Sequence, residues 1–536
     1  MMKKVIKKLL AALLAVAMVC AMAIPAFAEN SEGDVDSHHT YSAFQIFKGD
    51  VEGNNIKDFK ISNVDWGSNI ITNSEDFLAQ LKAAERIGGQ FEGATTAQDV
   101  LKVISRWHDS DDDSIAFARF VCHYLYSNDA NPTYVVRAGS NALTIPEAKA
   151  GYYLFVDTTD FSKDDSYHSY NSFLLMVTKG NWNVPITPKA EKPSVKKEVF
   201  DNQDGTSTGD FGSSADHAIN EKFQFKLTAT LPASTDHAYD YYDTYAVCFK
   251  DTLSKGITYD GPDSVVIKSN NNTHDTTIDP SKYTIDTKNL ETQNYFEVNI
   301  HDVKACAKDA GFDLNDGATI TFTYTAHLND KAYVNTGSGS TENKNSVQLQ
   351  YSNNPRPGEY WGTTPKSEVY VFTYQLNNTK YHDDDTTGNE LAGAGFRLYS
   401  GKDCTKEQEI KLKKNTTDGT YSPYFGADAG DEMFSDEHGQ FNVKGLDAGT
   451  YYLKETNPPA DYSACADKEI VISATHDVNH VSLSGNLSTT IINKKAGGIT
   501  LPSTGGIGTT LFYVVGGGLM VAAIVLLVTK KRMENK

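Results

Sequence analysis

Phe223-Gln224-Phe225-Lys226-Leu227-Thr228-Ala229 sets an apolar side chain at every second position, and Ile320-Thr321-Phe322-Thr323-Tyr324-Thr325-Ala326 repeats the pattern. Successive side chains of a strand point to opposite faces, so both stretches read as strands with one face in a core and one in water. The surrounding chain is rich in Thr, Tyr and Val, is punctuated by turn residues, and holds few long helical patterns. That combination is expected of a β-sandwich.

Moving outward, two proline-bracketed stretches divide the chain: Thr187-Pro188-Lys189-Ala190-Glu191-Lys192-Pro193 and Ser352-Asn353-Asn354-Pro355-Arg356-Pro357-Gly358. Both read as linkers. Before the first, apolar residues recur with helical spacing at Phe77, Leu78, Leu81, at Val100, Leu101, Val103, Ile104, and at Ile115, Phe117, Phe120, Val121, Tyr124. Strand-like runs follow at Gly151–Val156 and Phe173–Val177. The expected fold is mainly β: three tandem domains, immunoglobulin-like β-sandwiches, the first α+β with helical insertions. The expected limits are 29–188, 189–365 and 366–499, flanked by segments 1–28 and 500–536.

Those flanks are distinctive. Met1-Met2-Lys3-Lys4-Val5-Ile6-Lys7-Lys8 leads into an apolar run from Leu9 to Ile24 and then Pro25-Ala26-Phe27-Ala28. A basic start, a short apolar stretch and a small-x-small ending form a secretory signal, with cleavage expected after Ala28. At the other end, Leu511 to Val528 is uncharged and apolar, long enough to span a bilayer, and Lys530, Lys531 and Arg532 keep the tail in the cytoplasm. Leu501-Pro502-Ser503-Thr504-Gly505 stands in front of it. Motif, span and basic tail together resemble the cell-wall sorting signal read by sortases. The resemblance implies cleavage between Thr504 and Gly505 and transfer of the Thr504 carbonyl to an amine.

Removing the eight Lys/Arg and one Asp/Glu of the two ends from totals of 49 and 69 leaves 41 and 68, a net charge of −27. Such a surface argues against nucleic acid or an anionic membrane as partner. Five cysteines remain: Cys122, Cys248, Cys306, Cys404 and Cys465. Their spacing fits no metal motif. Cys248 with Cys306 and Cys404 with Cys465 are candidate disulfides, with buried thiols as the alternative. Asp201-Asn202-Gln203-Asp204-Gly205 and Asp383-Asp384-Asp385 read as acidic turns rather than calcium loops. No cofactor or catalytic metal motif is present in the sequence.

Polar residues fall on the apolar phase at six places. Lys380 follows Phe372, Tyr374, Leu376 and Asn378; Glu455 follows Tyr451 and Leu453; Asn493 follows Ile491. Earlier, Lys197 lies between Val195 and Val199, Asp251 follows Val247 and Phe249, and Asn345 precedes Val347, Leu349 and Tyr351. Phase alone selects Lys197 over its neighbour Lys196. Charges are rarely buried without compensation, so two units each direct a lysine, an acid and an asparagine inward. A buried, paired salt bridge or a solvated strand end is the alternative for each group.

The segment Tyr451-Tyr452-Leu453-Lys454-Glu455-Thr456 resembles the E-box of domains that form Lys–Asn isopeptide bonds, with Asp461 standing where that motif usually has Gly. Leu391–Leu398 and Gly439–Leu446 resemble the B-type repeat of collagen-binding adhesins, an inverse immunoglobulin-like sandwich. From about residue 190 onward the chain resembles the middle and C-terminal domains of three-domain shaft pilins. The resemblance implies isopeptides Lys380–Asn493 and Lys197–Asn345, with Glu455 and Asp251 as proton shuttles. Trp182-Asn183-Val184-Pro185-Ile186-Thr187-Pro188-Lys189 resembles the pilin motif, with Thr187 in place of the usual Tyr and a shortened spacing. It implies Lys189 as the acceptor of the next subunit's Thr504, a solvated linker lysine being the alternative. The implied function is a structural shaft subunit of a covalent surface pilus, a sortase substrate and not an enzyme. Its implied partners are a pilin-type sortase, identical subunits, tip and base minor pilins, and peptidoglycan. The competing expectation is a singly wall-anchored adhesin.

Overall fold

The computed structural model describes residues 40–495, apart from 55–58, 109–110, 138–143, 146–148, 159–168, 171–172, 179–181, 184–189, 192, 203–208, 236, 356–360 and 486. The chain is mainly β, with three apolar cores in succession.

The first core lies between a sheet and helices. Strands β1 (Thr40–Glu52) and β2 (Lys60–Trp66) are followed by helices α1 (Ser74–Ala83), α2 (Ala97–Ile104) and α3 (Asp112–Ser127). Then come β3 (Tyr134–Arg137), β4 (Gly151–Asp157) and β5 (Phe173–Thr178), giving a sheet ordered β2-β1-β4-β5 with β3 also paired to β1. Phe77 and Leu81, Val100 and Ile104, and Phe117 and Val121 are the helical stripes that meet the sheet. A Thr96–Asp99 capping box starts α2. Strand β4 is buried along its whole length, which is why Tyr152 to Val156 run apolar without alternation before the buried Asp157.

The middle unit is a two-sheet sandwich built from β6 (Ser194–Phe200), β7 (Ser214–Asp216), β8 (Lys222–Leu231), β9 (Val247–Leu253), β10 (Ile257–Ser269), β11 (Tyr295–Ile300), β12 (Ala318–Leu328), β13 (Lys344–Ser352) and β14 (Ser367–Phe372). One sheet runs β6-β8-β12-β10 and the other β7-β14-β13-β9-β11. The alternating stretches at 223–229 and 320–326 form the inner face: Phe225, Leu227, Phe322 and Tyr324 are buried. The second linker and the boundary at 365/366 need correction. Trp361–Thr363 and β14 both pair with β13, so 352–358 connects strands of one sheet and the middle unit runs to Phe372. A Pro/Gly cluster reads alike in a linker and in a loop inside a sheet.

The third unit holds β15 (Tyr374–His382), β16 (Gly395–Tyr399), β17 (Val443–Leu446), β18 (Gly449–Asn457), β19 (Lys468–Asp477), β20 (His480–Ser484) and β21 (Ser488–Asn493). Its sheets run β17-β15-β21 and β16-β18-β19-β20, the former with short strands beyond β17. First strand β15 and last strand β21 are parallel neighbours, with Lys380 opposite Ile491 and His382 opposite Asn493.

Thr373 alone separates β14 from β15, and it is fully buried. Its hydroxyl donates to the Leu446 carbonyl at 3.1 Å and its own carbonyl accepts from the Asn335 amide at 2.8 Å. Beside it the Ile219 amide donates to the Gly445 carbonyl at 2.9 Å. Gly445 has φ +83°, and a Cβ there would lie 2.5 Å from the Ile219 side chain, so glycine is what lets the two sandwiches touch. Among the described residues no helix is long and apolar enough to cross a membrane; the apolar stretch 511–528 lies outside them.

Candidate functional site

The strand phases bring Lys197, Asp251 and Asn345 together in the middle sandwich. Lys197 sits on β6 of one sheet; Asp251 and Asn345 sit on the neighbouring strands β9 and β13 of the other. All three are buried, at 2%, 0% and 0% exposure. Lys196, one residue away, is exposed and pairs with Glu198 at 2.7 Å.

The Lys197 ammonium donates to Asp251 Oδ2 and lies 3.1 Å from the Tyr324 hydroxyl. That hydroxyl donates to Asp251 Oδ1 at 3.2 Å and accepts from Asn345 Nδ2 at 2.5 Å. One phenol thus touches the amine, the acid and the amide. Sequence reasoning counted Tyr324 only as a core aromatic; its polar atom on an inward phase was the available signal. Phe225 completes the enclosure, its ring centroid 4.9 Å from Nζ. Burial pulls the Lys197 amine down to about 8, against the opposing pull of Asp251. Burial also pushes the Asp251 carboxyl up, although Lys197 and Tyr324 oppose it. Among the described residues the Asn345 carbonyl oxygen has no hydrogen-bond partner.

In the third sandwich Lys380, Glu455 and Asn493 also converge, with a different wiring. Lys380 and Asn493 project from adjacent parallel strands, and Glu455 comes from β18 in the facing sheet. Asn493 Nδ2 donates to Glu455 Oε1 at 2.7 Å, and Glu455 Oε2 accepts the Cys465 amide at 2.7 Å. Among the described residues the Lys380 amine makes only long contacts, to the carbonyls of Tyr381 at 3.3 Å and Ile491 at 3.5 Å. It is fully buried, and burial lowers its pKa. The Asn493 carbonyl oxygen lacks a partner among the described residues, as at Asn345. Asp461 takes φ +73°, the left-handed conformation that the usual glycine would favour. Gly439, at φ +71°, packs its turn onto the Lys380 backbone, where a Cβ would come within 2.4 Å of the carbonyl oxygen.

Each group therefore presents an amine with weakened basicity, an acid and an unengaged amide carbonyl in a water-excluded core. That set can expel ammonia and form an amide. Lys189 and the segment Leu501, Pro502, Ser503, Thr504 and Gly505 lie outside the described residues. The candidate disulfides are not formed: Cys248, Cys306, Cys404 and Cys465 are thiols. Burial pushes Cys248 up to about 12 and Cys306 to about 11, while the Cys404 thiol faces Asp467 at 3.8 Å. Asp384 caps its own turn through Thr386 and Asn389.

Residues 377–486 match the prealbumin-like fold domain family SpaA, and residues 493–535 match the LPXTG cell wall anchor motif. The chain thus ends in a cell-wall anchor. No curated protein matches it. Among solved structures, the T6 backbone pilin of serotype M6 Streptococcus pyogenes is similar at 16% identity over 86% of this chain and 97% of that one, with a TM-score of 0.48. The full-length major pilin SpaD from Corynebacterium diphtheriae is similar at 19% identity, over 68% and 81%, with a TM-score of 0.40. The 35 kDa C-terminal fragment of the major pilin GBS80 of Streptococcus agalactiae is similar at 21% identity, over 57% and 100%, with a TM-score of 0.39.

Proposed function

We propose that this chain is the repeating shaft subunit of a surface pilus, joined head to tail by a pilin-type sortase and cross-linked internally by Lys197–Asn345 and Lys380–Asn493 amides. The observation that carries the reading is the pair of buried Lys–acid–Asn groups in two successive sandwiches of a chain that ends in a wall anchor. In each, the neutral amine attacks the asparagine Cγ, the C–N bond to Nδ2 breaks, and ammonia leaves with the proton surrendered by the amine. Asp251 takes that proton in the middle unit, and Tyr324 passes one on to the departing nitrogen. In the third unit a half-turn of the Asn493 amide brings its carbonyl oxygen to Glu455, whose protonated form polarises it.

Between subunits the Thr504 carbonyl passes from the sortase cysteine to Lys189 of the next copy. The final subunit passes to peptidoglycan, and minor pilins occupy tip and base. The nucleophilic cysteine belongs to the sortase, so the chain is a substrate and catalyses only its own cross-links.

Intact mass of the exported chain tests the internal chemistry: each bond sheds one ammonia, about 17 Da, and two losses are expected. Absence of both overturns the mechanism. Polymerisation has its own test: a denaturant-resistant ladder from cell walls collapses to single-subunit species in a Lys189→Ala strain. A ladder that persists there rules out Lys189 as the acceptor, and no ladder in the parent strain leaves a singly anchored adhesin.

A further inference from the structure

Where the second sandwich meets the third, Asp201, at the end of β6, and Asp216, on β7, face His476 on β19. His476 Nε2 lies 3.4 Å from Asp201 Oδ2 and 3.8 Å from Asp216 Oδ1. All three atoms fall within 4.8 Å of one another. These separations exceed the roughly 3.2 Å reach of a good N–H···O hydrogen bond. The first matches the edge of a coordination tetrahedron with bonds of about 2.0–2.1 Å, which is about 3.4 Å, and the second is longer than it.

Each converging atom has a sister atom already held. His476 Nδ1 meets Ser214 Oγ at 2.8 Å, Asp216 Oδ2 accepts from the Tyr374 hydroxyl at 2.7 Å, and Asp201 Oδ1 accepts from the Asp216 amide at 3.1 Å. Phe372 stacks on the imidazole. Such outer contacts fix the tautomer and aim of a metal ligand. They come from both sandwiches, and one ligand atom of each side chain lies close to those of the other two.

The charges agree. Asp201 and Asp216 are 7% and 2% exposed, and Glu221 and Asp447 lie close by around His217. His476 and His217 thus lie among four carboxylates, a setting whose charge favours a bound cation. The neighbouring His217–Glu221–Asp447 group is served differently: Asn202 Nδ2 reaches all three, at 3.3, 2.7 and 3.3 Å. An amide sits at that centre.

We propose that Asp201, Asp216 and His476 bind one divalent transition-metal ion of the zinc class, with water completing the shell, and that the ion clamps the second sandwich to the third. A nitrogen ligand with two carboxylates suits zinc better than calcium, which takes six to eight oxygens. Nothing in this proposal depends on the isopeptides or on polymerisation.

The exported chain, stripped with a chelator, is titrated with zinc and, in parallel, with cobalt as a spectroscopic stand-in. One zinc per chain is expected to survive gel filtration, and cobalt is expected to give the intense visible absorption of a four-coordinate site. Asp216→Asn and His476→Gln should each lose that equivalent. Ser214→Ala, which keeps all three ligands, should weaken binding about 10–100-fold. Wild-type protein retaining no more zinc than His476→Gln overturns the proposal. So does a cobalt spectrum unchanged by Ser214→Ala at limiting metal.

Discussion

The two buried lysines differ in what their acids hold. In the middle sandwich Asp251 grips the nucleophile, and the amide is reached only through Tyr324. In the third, Glu455 grips the amide, and Lys380 is left with two distant carbonyls. The difference follows from strand placement. Lys380 and Asn493 are neighbours within one sheet, so an acid from the facing sheet meets the amide; Lys197 faces its partners across the core. A lysine, an acid and an asparagine are thus wired in two ways, with Asp251 in one group and Glu455 in the other. What both sites share is a buried amine and an amide oxygen with no partner among the described residues.

The largest effect expected is loss of the cross-link itself. Lys380→Ala or Asn493→Ala opens a loop of over a hundred residues, lowering stability by about 4–5 kcal/mol on the loop-closure scale, read from denaturant midpoints. A similar loss is expected for Lys197→Ala. If only one of the two lysines matters, the sites are not equivalent and the comparison breaks.

Tyr324→Phe separates the wirings. Removing a general acid commonly costs at least about 100-fold in rate, so the middle bond should form slowly and the third normally. Time-resolved mass spectrometry should show one prompt ammonia loss and one delayed. Two prompt losses would reduce Tyr324 to packing.

A pH series sharpens the contrast through Lys197. In an Asn345→Ala chain this amine stays free, with a folded pKa of about 8 against an ordinary 10.5. Between those values the unfolded chain binds more protons, so stability should rise with pH across that window, the penalty being fully present below about 8. Urea midpoints measured at either end check it, and a flat profile would mean that Asp251 keeps the ammonium charged. The smallest effect belongs to Asp461→Gly: relief of the left-handed backbone offsets the added chain entropy, leaving a change within about 1 kcal/mol, seen by thermal unfolding.

Much of this was legible in the sequence because the strand period of two states directly which side chains share a face. Lys197 was distinguished from Lys196 on that basis alone, and the structure puts one inward and the other in solvent. Period does not say which strands face each other, so the sequence could not tell that Asp251 meets a lysine while Glu455 meets an asparagine. Tyr324 was invisible as a participant because tyrosine counts as apolar in any alternation. The segment Pro355–Gly358 misled for a related reason: local turn chemistry is blind to whether the strands on either side share a sheet. His476 and Asp201, 275 positions apart in the numbering, offered no local pattern at all.

Thr373 has a consequence for length under load. A peptide residue drawn straight adds at most about 3.6 Å, and Thr373 is the whole of the tether between the second and third sandwiches. In the proposed shaft each such joint has almost no slack to surrender. Tension on one sandwich therefore reaches the other across Thr373 with little extension of the backbone between them.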